Sequence, residues 1–205
     1  MSISITLVLI AITVAISVAG FGNRRVVESL VFSPTWVLRR HDWHRLVSYG
    51  FVHADGMHLL FNMLVLWFFG PLVEATLVAR IGSAGFVLFY VAALVFSILP
   101  SLFRHRNDPG WFSLGASGAC CAVLFVFIML RPWEKLYLFF AIPMPAIVFA
   151  VGYVAYTIWA DRRKKDRINH SAHLWGAVFG VVFLVALEPR IVPAFLTALA
   201  HPRTT

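Results

Sequence analysis

Cysteine is nearly absent. The chain has two, Cys120 and Cys121, side by side in an apolar run. Neighbours do not easily pair with each other, and their spacing is not that of metal ligands. A disulfide scaffold and a cysteine-held metal site are excluded, so both read as small core residues. Acidic residues are also scarce: nine, against 17 Lys and Arg. None of the nine lies within the apolar runs 115–130 or 171–187. No stripe of Lys and Arg interleaved with aromatics occurs, so the net charge of +8 does not point to nucleic acid. The basic residues sit in connections between apolar runs, where they anchor at headgroups. The first apolar run lacks the basic n-region of a signal peptide and is long, so it reads as a retained span. There is no repeat, low-complexity tract or linker long enough to divide the chain.

What the chain does have is apolar length. It is 60% hydrophobic, with a mean hydropathy of +0.84. A soluble domain would be nearer half apolar. Helical spans need roughly 20 residues each. Six runs fit this pattern: about 3–19, 57–75, 82–102, 115–130, 136–159 and 171–187. The expected fold is all-α, a single six-span membrane domain over residues 1–205. The connection 20–56 mixes Arg24, Arg25, Arg39, Arg40 and Arg45 with Phe32, Trp36, Trp43, Tyr49 and Phe51. That composition suits a segment lying in the interface. Pro143 and Pro145 should kink or delay the fifth span.

The fourth span is short. A helix from Ser117 to Leu130 covers only about 21 Å, against a hydrocarbon core of about 30 Å. It should therefore begin below the surface, with residues 111–115 descending as a loop. Irregular backbone at that depth is tolerated only when buried in protein or lining a wet cavity. Ser117 follows Gly115-Ala116 and precedes Gly118, at the head of this span.

Few polar residues lie within spans, and each is a functional candidate. His58 and Asn62 are four apart and share a helix face, which suits stabilising an oxyanion. His173 lies one turn into the last span, beside the small-residue stripe Ala172, Gly176 and Gly180. The fourth span offers Gly118 and Ala122 at the same spacing. Close approach of the two helices would bring His173 within general-base reach of Ser117. With no acidic residue beside either, a Ser-His dyad fits better than a triad. Each group also has a plainer use: Ser117 as a packing residue, the histidines as helix ties or proton relays. Zinc held by His53, His58, His170 and His173 is conceivable, but no HExxH-like signature occurs. Tryptophan and phenylalanine fit interface belts better than a cofactor box. No cofactor or metal is called for.

Three motifs occur in order: His53-(four)-His58-(three)-Asn62, Gly115-Ala116-Ser117-Gly118, and His173-(two)-Gly176-(three)-Gly180. Together they resemble the rhomboid intramembrane serine proteases, over about residues 42–187. Arg45 in the first loop, Gly70 and Glu74 closing the second span, and Gly82 opening the third add to the resemblance. His44 departs from it, standing where a Trp usually precedes the Arg. Cys121 stands where some members carry a Tyr packed on the catalytic His, so another group has to hold the imidazole here.

The resemblance implies Ser117 as nucleophile and His173 as general base. It implies His58, Asn62 and the Ser117 backbone N–H as the oxyanion hole, with His53, Gly115, Gly118, Gly176, Gly180, Arg45 and Glu74 in support. The implied reaction is peptide hydrolysis through an acyl-enzyme, on transmembrane protein substrates within the lipid bilayer. The expected location is a multi-pass integral protein of a bacterial inner membrane. Two other readings stand beside it: a catalytically silent rhomboid-like binding or chaperone protein, and a small transporter using His58 and His173. Twelve of the 17 basic residues fall on the Ser117 side, which the positive-inside rule makes cytoplasmic. The resemblance implies the opposite orientation, with cytoplasmic termini, and that is the one expected here.

Overall fold

The computed structural model describes residues 4–138, 141–163 and 168–202. Of the expected features, the first residue of span one (Ile3), residues 139–140 of span five, part of the basic run 162–165 (Lys164, Lys165) and Arg203 lie outside them.

Helix α1 spans Ile5–Gly22. Its start is held from another element. Glu74 accepts from the backbone N–H groups of Ile5 and Thr6 and from the Ser4 hydroxyl, each at 2.8 Å. A carboxylate there meets the orphan donors and positive end of the helix. The connection that follows folds into α2 (Arg24–Leu30), α3 (Pro34–Arg40) and α4 (Arg45–Ser48). Their starts obey local rules: Asn23 caps α2, and Ser33 caps α3 with Pro34 in its first turn.

Helix α5, Gly56–Arg104, is two apolar rods joined without a loop. The break is Gly82, at φ 71° and ψ 173°, outside helical space and open to glycine. The expected second and third spans are thus the two arms of one bent element. Helix α6, Ser117–Leu130, has every residue from Gly118 to Ile128 buried. A helix apolar all round belongs inside the protein, so α6 can be shorter than the membrane is thick.

The fifth expected span, 136–159, needs correction. Residues Lys135–Leu138 form strand β1, antiparallel to β2 (Ile142–Pro145), with Lys135 opposite Pro145 and Tyr137 opposite Pro143. Prolines lack the donor a helix interior needs, but a two-stranded ribbon has only edges and accepts them. The helix itself, α7, is Ala146–Arg163. The N–H groups of Ala146 and Ile147 donate to the carbonyls of Glu134 and Pro132, both at 2.9 Å. Helix α8 spans His170–Leu187. A further helix, α9 (Ile191–Ala200), follows the last expected span. Trp133 Nε1 ties it down by donating to the Ala198 carbonyl at 2.8 Å.

Among the described residues three helices, α1, α5 and α8, are long and apolar enough to cross a membrane. The structure is an all-α membrane bundle with α6 at its centre, packed chiefly against α5 and α8.

Candidate active site

The loop before α6 is built to descend. Phe32 and Ser113 exchange both backbone hydrogen bonds at 3.0 Å, joining the 20–56 connection to the descending segment. Gly115 N–H donates to the Tyr49 carbonyl at 2.9 Å. Tyr49 is itself held, its hydroxyl donating to the Leu94 carbonyl at 2.7 Å. Gly115 has φ +112°, and a Cβ there would sit 2.5–2.6 Å from the His58 ring. Only glycine permits both the conformation and the contact.

His53 locks the next residue. Its Nε2 accepts from Ala116 N–H at 3.2 Å, so the ring proton sits on Nδ1. Nδ1 lies 2.9 Å from Ser17 Oγ of α1 and donates to it. The Ser17 hydroxyl in turn donates a hydrogen bond to the Phe51 carbonyl at 2.9 Å. Burial, reinforced by the nearby His58, pushes the His53 pKa down to about 3, which keeps the ring neutral and able to accept.

Ser117 is the first residue of α6, and the cap position, Ala116, offers no side-chain acceptor. By helix geometry the first-turn N–H groups have no intrahelical partner and point toward the Ser117 end. Helix α8 brings His173. Its cap, Asn169, accepts from Ala172 N–H at 3.1 Å and donates to Ser101 Oγ at 3.0 Å and Ser113 Oγ at 3.3 Å. Lower down, a Cβ on Gly176 would strike the Gly118 carbonyl, and one on Gly180 the Ala122 carbonyl. The two backbones therefore touch. With the start and the crossing both set, His173 Nε2 lies 2.8 Å from Ser117 Oγ. With Nε2 accepting, this pair can activate the hydroxyl as a nucleophile.

His58 reaches the same turn through its contact with Gly115 and stacks edge-on to His53, ring centroids 4.9 Å apart. Asn62 is buried, and its Nδ2 donates to the His58 carbonyl at 3.0 Å, leaving its second N–H available. Glu74 lies at the start of α1, away from the Ser117 turn. Arg45 is buried in the interface connection. It binds Asp42 at 2.9 Å and the carbonyls of Glu28 and Val31 at 2.8 Å, with its guanidinium 4.6 Å from the centre of the Trp36 ring. The Arg45 guanidinium holds the Asp42 carboxyl below its usual range. Trp36, from α3, gives Arg45 an aromatic face although His44 replaces the Trp of the resembled motif. Among the described residues no group of three or more His, Cys, Asp or Glu is arranged to hold a metal ion.

Three contributors escaped the sequence reading: Ser17, Asn169 and Tyr153 of α7. The Tyr153 ring stacks on His173, centroids 6.4 Å apart at 18°, and its hydroxyl lies 3.1 Å from Cys121 Sγ. The vacancy at position 121 was the available signal. Farther along α6, two to three turns from Ser117, a cavity of about 750 Å³ opens between α5 and the β1–α7 segment, lined by Phe61, Phe68, Phe127, Leu136 and Phe149.

The Rhomboid domain family matches residues 40–190 of this chain. The chain belongs to the rhomboid family. It is 31% identical to the mitochondrial RHOMBOID-like protein 12 of Arabidopsis thaliana, over 68% of this chain and 45% of that one. It is 32% identical to the mitochondrial Rhomboid protein 1 of Saccharomyces cerevisiae, over 82% of this chain and 50% of that one. To the Rhomboid protease GlpG of Haemophilus influenzae it is 27% identical, over 87% of this chain and 88% of that one. This rhomboid chain thus spans about half the length of the two mitochondrial relatives.

Proposed function

We propose that this rhomboid is an intramembrane serine endopeptidase that works through a Ser117–His173 dyad. The observation that carries the reading is the 2.8 Å contact between Ser117 Oγ and His173 Nε2 at the head of a buried helix. In the reaction, His173 Nε2 takes the Ser117 proton as Oγ attacks the substrate carbonyl. The tetrahedral oxyanion is met by the Ser117 N–H, with His58 and the free N–H of Asn62 as further donors. His173 then gives its proton to the leaving amine, and an acyl-enzyme remains. Water, deprotonated by the same imidazole, releases the acid and restores Ser117.

Substrates of this reading are transmembrane proteins cut within or near their membrane segment, at a small residue. A helical peptide carbonyl is occupied by its own hydrogen bond, so helix-weakening residues near the cut favour attack. The apolar cavity beside α7 suits lateral access from lipid, with α7 as the moving element. Six crossings in one domain and a bacterial inner membrane complete the proposal. The second rests on alignment with nearly the whole of the Haemophilus protease.

A serine-directed fluorophosphonate tests the proposal. Labelling and cleavage of a transmembrane substrate are expected in the native protein and absent in Ser117→Ala and His173→Ala. A native protein that neither labels nor cleaves favours the silent binding protein. Full cleavage by purified Ser117→Ala overturns the dyad.

A further inference from the structure

The inward face of α7 is Ala146, Ala150, Thr157 and Ala160, all small and buried. With Tyr153 they form a stripe at alternating spacings of four and three, one helix face. Tyr153 is the single large side chain on that stripe. Its ring is built into a stack, with Phe149 on its own helix at 5.5 Å and 20°, Phe125 of α6 at 6.2 Å, and His173 of α8 at 6.4 Å and 18°. Its hydroxyl is fixed by Cys121 of α6. Three helices therefore meet on one phenol, and its ring lies near-parallel to, and offset from, the imidazole beside Ser117.

Resting on the protease reading, we propose that Tyr153 is the positioning residue for His173, anchored by Cys121, and that it ties dyad alignment to the docked position of α7. A near-parallel ring removes the rocking freedom of the imidazole about its own bond to the backbone. Because the ring comes from α7 and not from α6 or α8, any displacement of α7 withdraws it. The same helix borders the apolar cavity through Phe149, one turn from Tyr153, so a movement of α7 that widens the cavity also displaces the ring. Attack is then favoured only once α7 has closed again. Tyr153 does not touch the reacting atoms, and its effect is on the fraction of time His173 Nε2 points at Ser117 Oγ.

The test compares full-length variants in lipid or detergent for kcat and KM on a transmembrane substrate. Tyr153→Leu is expected to lower kcat about tenfold with little change in KM, the value of one aromatic contact. Tyr153→Phe, which keeps the ring, is expected to retain most of the rate. Adding Cys121→Tyr to Tyr153→Leu places a ring on α6 in the vacated space and is expected to restore kcat. Ala150→Leu, a wedge on the α7 stripe, is expected to slow the native background and to spare that double variant. Unchanged kcat in Tyr153→Leu overturns the proposal, as does a loss that neither the phenyl ring nor Cys121→Tyr restores. An equal wedge effect in both backgrounds overturns the tie to α7.

An inert native protein sinks the protease reading instead. The contact is then decided by the His173 ring-proton NMR shifts. They are expected to change in Tyr153→Leu as the ring current is lost and the imidazole reorients, and no movement overturns the proposal.

Discussion

His53 carries no chemistry in the proposed reaction, yet the Ser117 turn hangs on it. Its neutral ring is the acceptor for Ala116 N–H, and Ser17 of α1 selects the tautomer that makes this possible. Removing the ring leaves a buried N–H unpaired, at a cost of about 1–3 kcal/mol. His53→Ala is expected to lower the thermal midpoint and slow fluorophosphonate labelling of Ser117, and Ser17→Ala to do the same more weakly. A pH dependence follows as well. The folded pKa of about 3 lies below the ordinary 6.5, so between these values the unfolded chain binds the extra proton. Stability present at neutral pH is lost as pH falls from about 6.5 toward 3. Melting between pH 7.5 and 5 is expected to show this slope, and His53→Gln to flatten it.

At the scale of elements, the α6–α8 crossing sets the geometry of the proposed dyad. Gly176 lies one turn below His173, and its Cα rests on the Gly118 backbone. Gly176→Val has to push the helices apart, costing about 1–3 kcal/mol in overpacking. It also lengthens the 2.8 Å contact, and a 1 Å misplacement can cost about a hundredfold in rate. The labelling rate is therefore expected to fall far more than the thermal midpoint suggests, which a melt and a labelling time course check together. The stripe Gly176, Gly180 was legible in the sequence because small residues four apart share a helix face. The start of α7 was legible only in part, since Pro143 and Pro145 signalled a delay but not what replaces the helix. Hydropathy runs unbroken through 136–159, and only strand pairing across Pro143 and Pro145 reveals that the first part is a ribbon.

For the whole molecule, orientation is open to direct measurement. The Ser117 face carries most of the basic residues, yet the proposed orientation puts the termini in the cytoplasm. The long connection that holds many of these residues is folded into α2–α4 and pinned by Arg45 and the Phe32–Ser113 pair. A segment folded and pinned in the interface is not an ordinary connecting loop. A reporter fused after Thr205 is expected to be active in the cytoplasm. Activity only on the far side would reverse the orientation.

Class and family were settled by the sequence alone. Apolar length forces a helical membrane bundle, since backbone in lipid must satisfy itself within each segment. Ser117, His173, His58 and Asn62 stood out as candidates because polar residue types are costly within spans, and the family resemblance implied their roles. The tertiary structure alone decided what orients them. Tyr153, Asn169 and Ser17 act across helices far apart in the chain, and no periodicity within one helix reports which side chain of another will face it. Helix packing made that choice, and with it the ring that fills the place left by Cys121.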